Sequence, residues 1–108
     1  MNGKKKEIPD YLPTWELLAK VAEDASGLAR SALILRRTLD DLNPTGATFN
    51  QALAAFHEGW ANVLLSLRQL NVIDDNLVLQ IMKQNYELWL TKLKETYDRE
   101  APENEHRY

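Results

Sequence analysis

Cysteine is absent from the 108 residues, which excludes a disulfide framework and any thiolate metal site. An excess of basic residues is absent too. Thirteen Lys and Arg against 16 Asp and Glu leave a formal charge of −3 at pH 7, whereas a nucleic-acid surface needs clustered cations to release counterions. No apolar run nears the roughly 18 residues that cross a bilayer. The basic opening Met1-Asn2-Gly3-Lys4-Lys5-Lys6 leads into Glu7-Ile8-Pro9-Asp10 and not into the apolar stretch of a signal peptide. No segment alternates apolar and polar residues as a half-buried strand does. What is there is ordinary for a globular domain: 44% hydrophobic and 27% charged residues, too apolar for disorder and the right length for one domain. The expectation is a soluble, cytoplasmic, all-α protein with no nucleic-acid polymer and no membrane as partner.

Residues 1–13 are polar and hold Pro9 and Pro13, the pattern of a flexible arm whose Tyr11 and Leu12 tuck against the body. Thr14 is placed to cap a first helix, with Glu16 in its first turn. Leu18, Val21, Ala22, Ala25, Leu28, Ala29, Ala32 and Leu39 recur at helical spacing up to Asn43-Pro44. Leu17, Leu28, Leu35 and Leu42 edge the apolar stripe, with Asp24 on the same edge. Asp40 to Ala47 reads as a loop, because Pro44 disfavours helix at Asn43 and Gly46 permits a turn.

Thr48 and Gln51 have capping-box spacing and open a second helix. Its large apolar stripe is Phe49, Leu53, Phe56, Trp60, Val63, Leu64, Leu67 and Leu70. A second stripe, Ala55, Gly59, Asn62 and Ser66, is made of small residues, and either admits a neighbouring backbone closely or leaves a groove. Asp74 or Asp75 caps a third helix with the stripe Val78, Met82, Tyr86, Trp89, Leu93 and Tyr97. Trp15 and Trp89 are expected in the core. A polar tail follows over residues 99–108. Three long helices with wide apolar faces bury more when paired, so an antiparallel bundle completed by a homodimer is expected over residues 14–98.

Two glycines stand out. Gly27, in Glu23-Asp24-Ala25-Ser26-Gly27, and Gly59, in His57-Glu58-Gly59-Trp60-Ala61-Asn62, both fall inside helical segments. A helix-interior glycine costs about 1 kcal/mol relative to alanine, so space for a ligand or close packing of helices must offset it. His57 has no second histidine at ligand spacing, and a surface role suits it better than metal binding.

Over residues 15–97 the layout resembles the MazG-like, all-alpha nucleoside triphosphate pyrophosphohydrolases. That family carries Glu-Glu-x-x-Glu on its first helix and Glu-x-x-Asp on its second; the corresponding residues here are Glu23-Asp24-x-x-Gly27 and Gly59-x-x-Asn62, the latter within Glu58-Gly59-Trp60-Ala61-Asn62-Val63-Leu64. Leu35-Arg36-Arg37-Thr38-Leu39-Asp40, Asn43-Pro44-Thr45 and Glu87-Leu88-Trp89-Leu90-Thr91-Lys92-Leu93 are similar to small members of the family. The resemblance implies paired carboxylates that hold Mg²⁺ against substrate phosphates, where the ions activate water and neutralise charge. Three of the five motif carboxylates are replaced, by Gly27, Gly59 and Asn62.

Glu23 and Asp24 remain, with Glu58 beside the motif; they are the catalytic residues if the chain is a Mg²⁺-dependent hydrolase, and weak metal candidates otherwise. The replacements remove charge and volume together. The reading that follows is an emptied active site that binds a small molecule without a cofactor, lined by Gly27, Ser31, Phe56, Gly59, Trp60 and Asn62. An engineered binder and a natural member that lost catalysis both fit it. The other readings are a hydrolase with a reduced acidic set, with Arg36, Arg37 and Lys83 meeting phosphates, and a structural helical dimer.

Overall fold

A computed structural model describes residues 5–40 and 46–98. Among them the chain is all-helical: α1 (Ile8–Tyr11), α2 (Thr14–Thr38), α3 (Phe49–Arg68), α4 (Asp75–Leu93) and a π-helical turn, Lys94–Asp98. It divides into two compact units, Met1–Asn71 and Val72–Tyr108. Among the described residues no helix is long and apolar enough to cross a membrane.

Local chemistry sets the helix ends. Thr48 Oγ1 accepts from the Gln51 backbone N–H at 3.1 Å, and the Thr48 N–H donates to Gln51 Oε1 at 3.0 Å. This is the capping box its spacing implied, and it satisfies two backbone donors at the start of α3. Asp74 Oδ1 accepts from the Leu77 N–H at 3.1 Å and caps α4. Thr14 does not cap α2. It is the first helical residue, and Pro13 precedes it in extended conformation with no side-chain bond. A proline N-cap has nothing to offer the free N–H groups, and Glu16 alone favours the positive helix end. The stretch expected as an arm contains α1, which the Glu7 N–H secures by donating to Asp10 Oδ2 at 2.7 Å. Of the expected loop, Gly46 holds φ +74°, where a Cβ would be strained; residues 41–45, Leu42 and Pro44 included, lie outside the described residues, as does the tail from residue 99.

In the first unit α2 packs against α3. The buried and half-buried positions of α2 include Leu17, Val21, Asp24, Leu28, Ser31, Leu35 and Thr38, which alternate in steps of four and three, with Glu16, Ala32 and Ile34 half-buried beside them. Those of α3 include Ala52, Phe56, Gly59, Val63 and Ser66, with the same alternation carried on by Leu70 just past its end and Leu53 half-buried beside them. That is the seam of a coiled-coil-like pair, and the meeting of Leu28 with Gly59 and of Leu17 with Gln69 makes it antiparallel. Ser31 and Ser66 are buried in the seam at little cost, because each hydroxyl donates to its own helix, to Leu28 O at 2.9 Å and Val63 O at 3.1 Å.

The seam runs between the two stripes expected on α3: Gly59 and Ser66 come from the small one and Phe56 and Val63 from the large one, while Ala55 and Asn62 are exposed. Trp60 stays 53% exposed, and Phe49, Leu64 and Leu67 are exposed as well. The reason is the close approach at Gly59. A Cβ there would stand 3.2 Å from Leu28 Cα and 3.2 Å from Ser31 Oγ, so any side chain would push the facing backbone back by a few tenths of an ångström. A larger residue at the crossing would hold the helices apart and let a different face turn inward.

The second unit consists of α4 and the turn after it. No residue of α4 is buried, and Leu90 alone is half-buried. Val78, Met82, Tyr86, Trp89, Leu93 and Tyr97, the expected core stripe, are all exposed. Neither Trp15 nor Trp89 is in a core; they are 69% and 67% exposed. The expectation that this stripe is core does not hold: among the described residues of its unit, α4 has only the turn Lys94–Asp98 beside it, and that does not cover the stripe.

The two interior glycines therefore differ in their expected response to substitution. Gly59→Val should cost about 1–3 kcal/mol by overpacking the crossing, whereas Gly27→Ala, in open space, should gain up to about 1 kcal/mol of helix propensity. Urea denaturation of the two variants measures both, and equal responses would refute the close-approach assignment.

Candidate functional site

The seam opens into a cleft near the start of α2 and the end of α3. Its volume is about 160 Å³, comparable to cavities that hold a benzene-sized molecule in other proteins. Ile8 and Leu12 line it from α1 and the residue after it, Leu17, Lys20 and Asp24 from α2, and Asn62, Leu65, Ser66 and Gln69 from α3 and its end. Local sequence explains this lid. Pro9 sits in the first turn of α1, where a missing N–H does no harm. Residues i and i+4 share a helix face, so Ile8 and Leu12 reach the same side. Tyr11 points elsewhere, 67% exposed, with Lys6 Nζ 5.6 Å from the centre of its ring.

Asp24 is the polar centre of the cleft. It occupies a seam position, and its side chain is only 8% exposed. Lys20, one turn earlier, reaches forward so that its Nζ lies 3.3 Å from Asp24 Oδ1 and 3.1 Å from Glu23 Oε1. The ammonium group is held above its usual pKa of 10.5, first by its hydrogen bond to Glu23 and then by that to Asp24. Across the cleft, Asn62 faces in from α3. Below it, Gln69 Nε2 donates to Leu65 O at 3.0 Å, and Ser66 Oγ donates to Val63 O.

Of the residues singled out in the sequence, Asp24 and Asn62 share this cleft. The others are placed elsewhere. Glu23 is turned to solvent, its side chain 75% exposed. Glu58 and His57 are exposed on α3 and outside the cleft lining. Gly27 is exposed, with nothing within 4 Å of a built Cβ. Gly59 and Ser31 are in the helix crossing. Phe56 is half-buried in the seam, and Trp60 meets it edge-on from outside, ring centres 6.0 Å apart and planes at 86°.

The expected space between Gly27 and Gly59 is thus not a pocket: Gly59 is filled by the Leu28 backbone, and Gly27 looks out to solvent. Glu23, Asp24 and Glu58 do not converge either. Among the described residues no group of three or more His, Asp or Glu is arranged to hold a metal ion. Arg36 and Arg37 lie apart from the cleft, at the far end of α2 beside Leu33, Leu39 and Asp40.

Sequence reasoning missed Lys20, Leu65 and Gln69. Lys20 carried a usable signal, since a lysine three and four residues before two acids pairs with them along a helix. Leu65 and Gln69 carried none, because neither belongs to either of the two stripes that the sequence of this helix displays. Compared with known proteins, the chain matches no family model, no curated protein and no solved structure.

The raised pKa of Lys20 has a definite consequence for stability. A cation held more tightly in the folded state contributes stability that is fully present below its unfolded pKa, near 10.5, and is lost as pH rises through the higher folded value. Urea denaturation between pH 9 and 12 should therefore show a small alkaline loss in the wild type that is reduced in Lys20→Met. An unchanged alkaline profile would show that the ion pairs contribute nothing in solution.

Proposed function

We propose that this chain is a small-molecule-binding protein with the MazG-like helical layout, and that its ligand occupies the cleft between Asp24 and Asn62. The observation that carries the reading is the juxtaposition of a nine-tenths-buried carboxylate and an opposing carboxamide within apolar walls. Burying a charged group is costly unless it is paired, and apolar walls with a few convergent polar groups are the usual make-up of a ligand pocket. Both residues stand at motif positions of the resembled family. With Asn at position 62 and Lys20 on Asp24, those positions offer a poor seat for Mg²⁺, which wants several free oxygen ligands. The site is an emptied one, displaced from the glycines toward the α1 end of the seam.

The test is a ¹H–¹⁵N correlation titration with a panel of benzene-sized compounds. Binding should perturb Leu17, Asn62 and Leu65, and Leu65→Trp, which fills the cleft from an exposed position, should weaken it by roughly tenfold, about 1.4 kcal/mol. If no compound at millimolar concentration perturbs these residues, the binding reading fails.

A second reading is supported by α4. An isolated helix of this length is marginal in water, yet its apolar stripe is exposed throughout. A second copy of the chain is the simplest cover, because two-fold pairing puts the same patch on both sides. The chain then works as a homodimer whose helices complete a bundle. Sedimentation equilibrium at micromolar concentration should give twice the chain mass, and Trp89→Glu should shift it toward the single-chain mass. A cooperatively folded monomer in the wild type would refute it.

A further inference from the structure

The charges of the cleft close on themselves. Lys20 and Asp24 are the charged residues of its lining, and they form one pair, Nζ to Oδ1 at 3.3 Å. Glu23, the other carboxylate that Lys20 meets, is turned to solvent outside the lining. One positive and one negative charge leave the lining neutral. A ligand of either sign would bring an unbalanced charge in among Ile8, Leu12, Leu17 and Leu65, where an unpaired charge is costly.

The polar groups that remain are neutral and stand in one row. Asn62, Ser66 and Gln69 follow one another in steps of four and three, Gln69 still in helical conformation at the end of α3. Residues so spaced share a helix face, so the cleft has a neutral polar wall on α3 opposite the apolar side chains of Ile8, Leu12 and Leu17. The row offers donors and acceptors together. Ser66 has given its proton to Val63 O and keeps its lone pairs. Gln69 has given one N–H to Leu65 O and keeps the other, together with its Oε1. Asn62 keeps the whole of its carboxamide, which makes no hydrogen bond among the described residues. A carboxamide sets a donor beside an acceptor, and the group that answers both at once is another amide with its N–H and C=O on the same edge.

From this neutral cleft with one polar wall we infer that the ligand is an uncharged ring with a cis-amide edge, the size of a six-membered lactam. Its N–H donates to Asn62 Oδ1, its carbonyl accepts from Asn62 Nδ2, and its carbon side lies against the apolar wall. About 160 Å³ suits one such ring. The inference rests on the cleft being the ligand site, as proposed above, and adds the chemical class of what enters it. The Lys20–Asp24 pair stays closed on binding.

Titration of the full chain at pH 7 with δ-valerolactam, its N-methyl derivative, cyclohexylamine and cyclohexanecarboxylate, followed by backbone amide shifts around Leu17 and Leu65, separates the possibilities. The lactam is expected to bind roughly three- to tenfold more tightly than its N-methyl derivative, which keeps the ring and the carbonyl but has no N–H to give. It should also bind more tightly than either charged ring. Asn62→Leu, at an exposed position outside the seam, should bring the lactam down to the level of the N-methyl derivative. Equal binding of the two in the wild type, a preference that persists in Asn62→Leu, or tighter binding of either charged ring overturns the amide assignment. So does silence toward all four rings where benzene-sized apolar compounds bind, and the cleft reading then stands. Silence toward those compounds as well overturns the cleft reading, and the assignment with it.

Discussion

The contact of Gly59 with the backbone of Leu28 is the constraint on which the first unit depends. Helices that touch through a glycine approach more closely than leucine-to-leucine packing allows, and that contact selects the seam. Once Gly59 is at the crossing, the four-three alternation places Ala52, Phe56, Val63 and Ser66 inward on α3, and Leu70 just past its end. The same alternation on α2 carries Asp24 into the seam. A charged residue at such a position is normally a liability. Here it stands where the seam opens to the cleft, with Lys20 within reach, so its charge is paired without being sealed from a ligand.

The close approach also leaves apolar surface unsatisfied. Small residues in the seam bury little area each, and the large residues Trp60, Leu64 and Leu67 of α3 are exposed. Hydrophobic burial is the main favourable contribution to folding, at about 25 cal/mol per Å², and it must offset about 1–2 kcal/mol of backbone entropy per ordered residue. A chain whose largest side chains lie on the surface gains little of that offset from its own first unit. Close packing within the pair and the exposure of the large residues of α3 are therefore linked through the residue at position 59.

The electrostatics of the cleft follow from spacing along one helix. Lys20, Glu23 and Asp24 lie within one turn and a step, so a single ammonium bridges an exposed and a buried carboxylate. This arrangement turns a pattern that resembles a metal-holding motif into one whose buried carboxylate already has a cation. Asn62 on the facing helix completes the change by offering an amide where the resembled motif has an acid.

Much of the fold was legible in the residues themselves. The three long helices, the Thr48–Gln51 box and the Asp74 cap depend on local propensity and on hydrogen bonds within one turn, and such interactions involve only neighbours in sequence. Asp24 and Asn62 were singled out in the sequence through the family resemblance, and both line the cleft beside the seam. What the sequence left open was decided by tertiary packing. The stripe of small residues was equally compatible with a groove and with close approach, and only the position of the facing backbone separates the two. Gly27 and Gly59 read alike in sequence, yet one is open to solvent and the other fills a helix crossing. The cleft moved from the glycines to the α1 end for the same reason: a one-dimensional pattern specifies which residues share a helix face, but which face is covered, and by what, is a property of the neighbour that covers it.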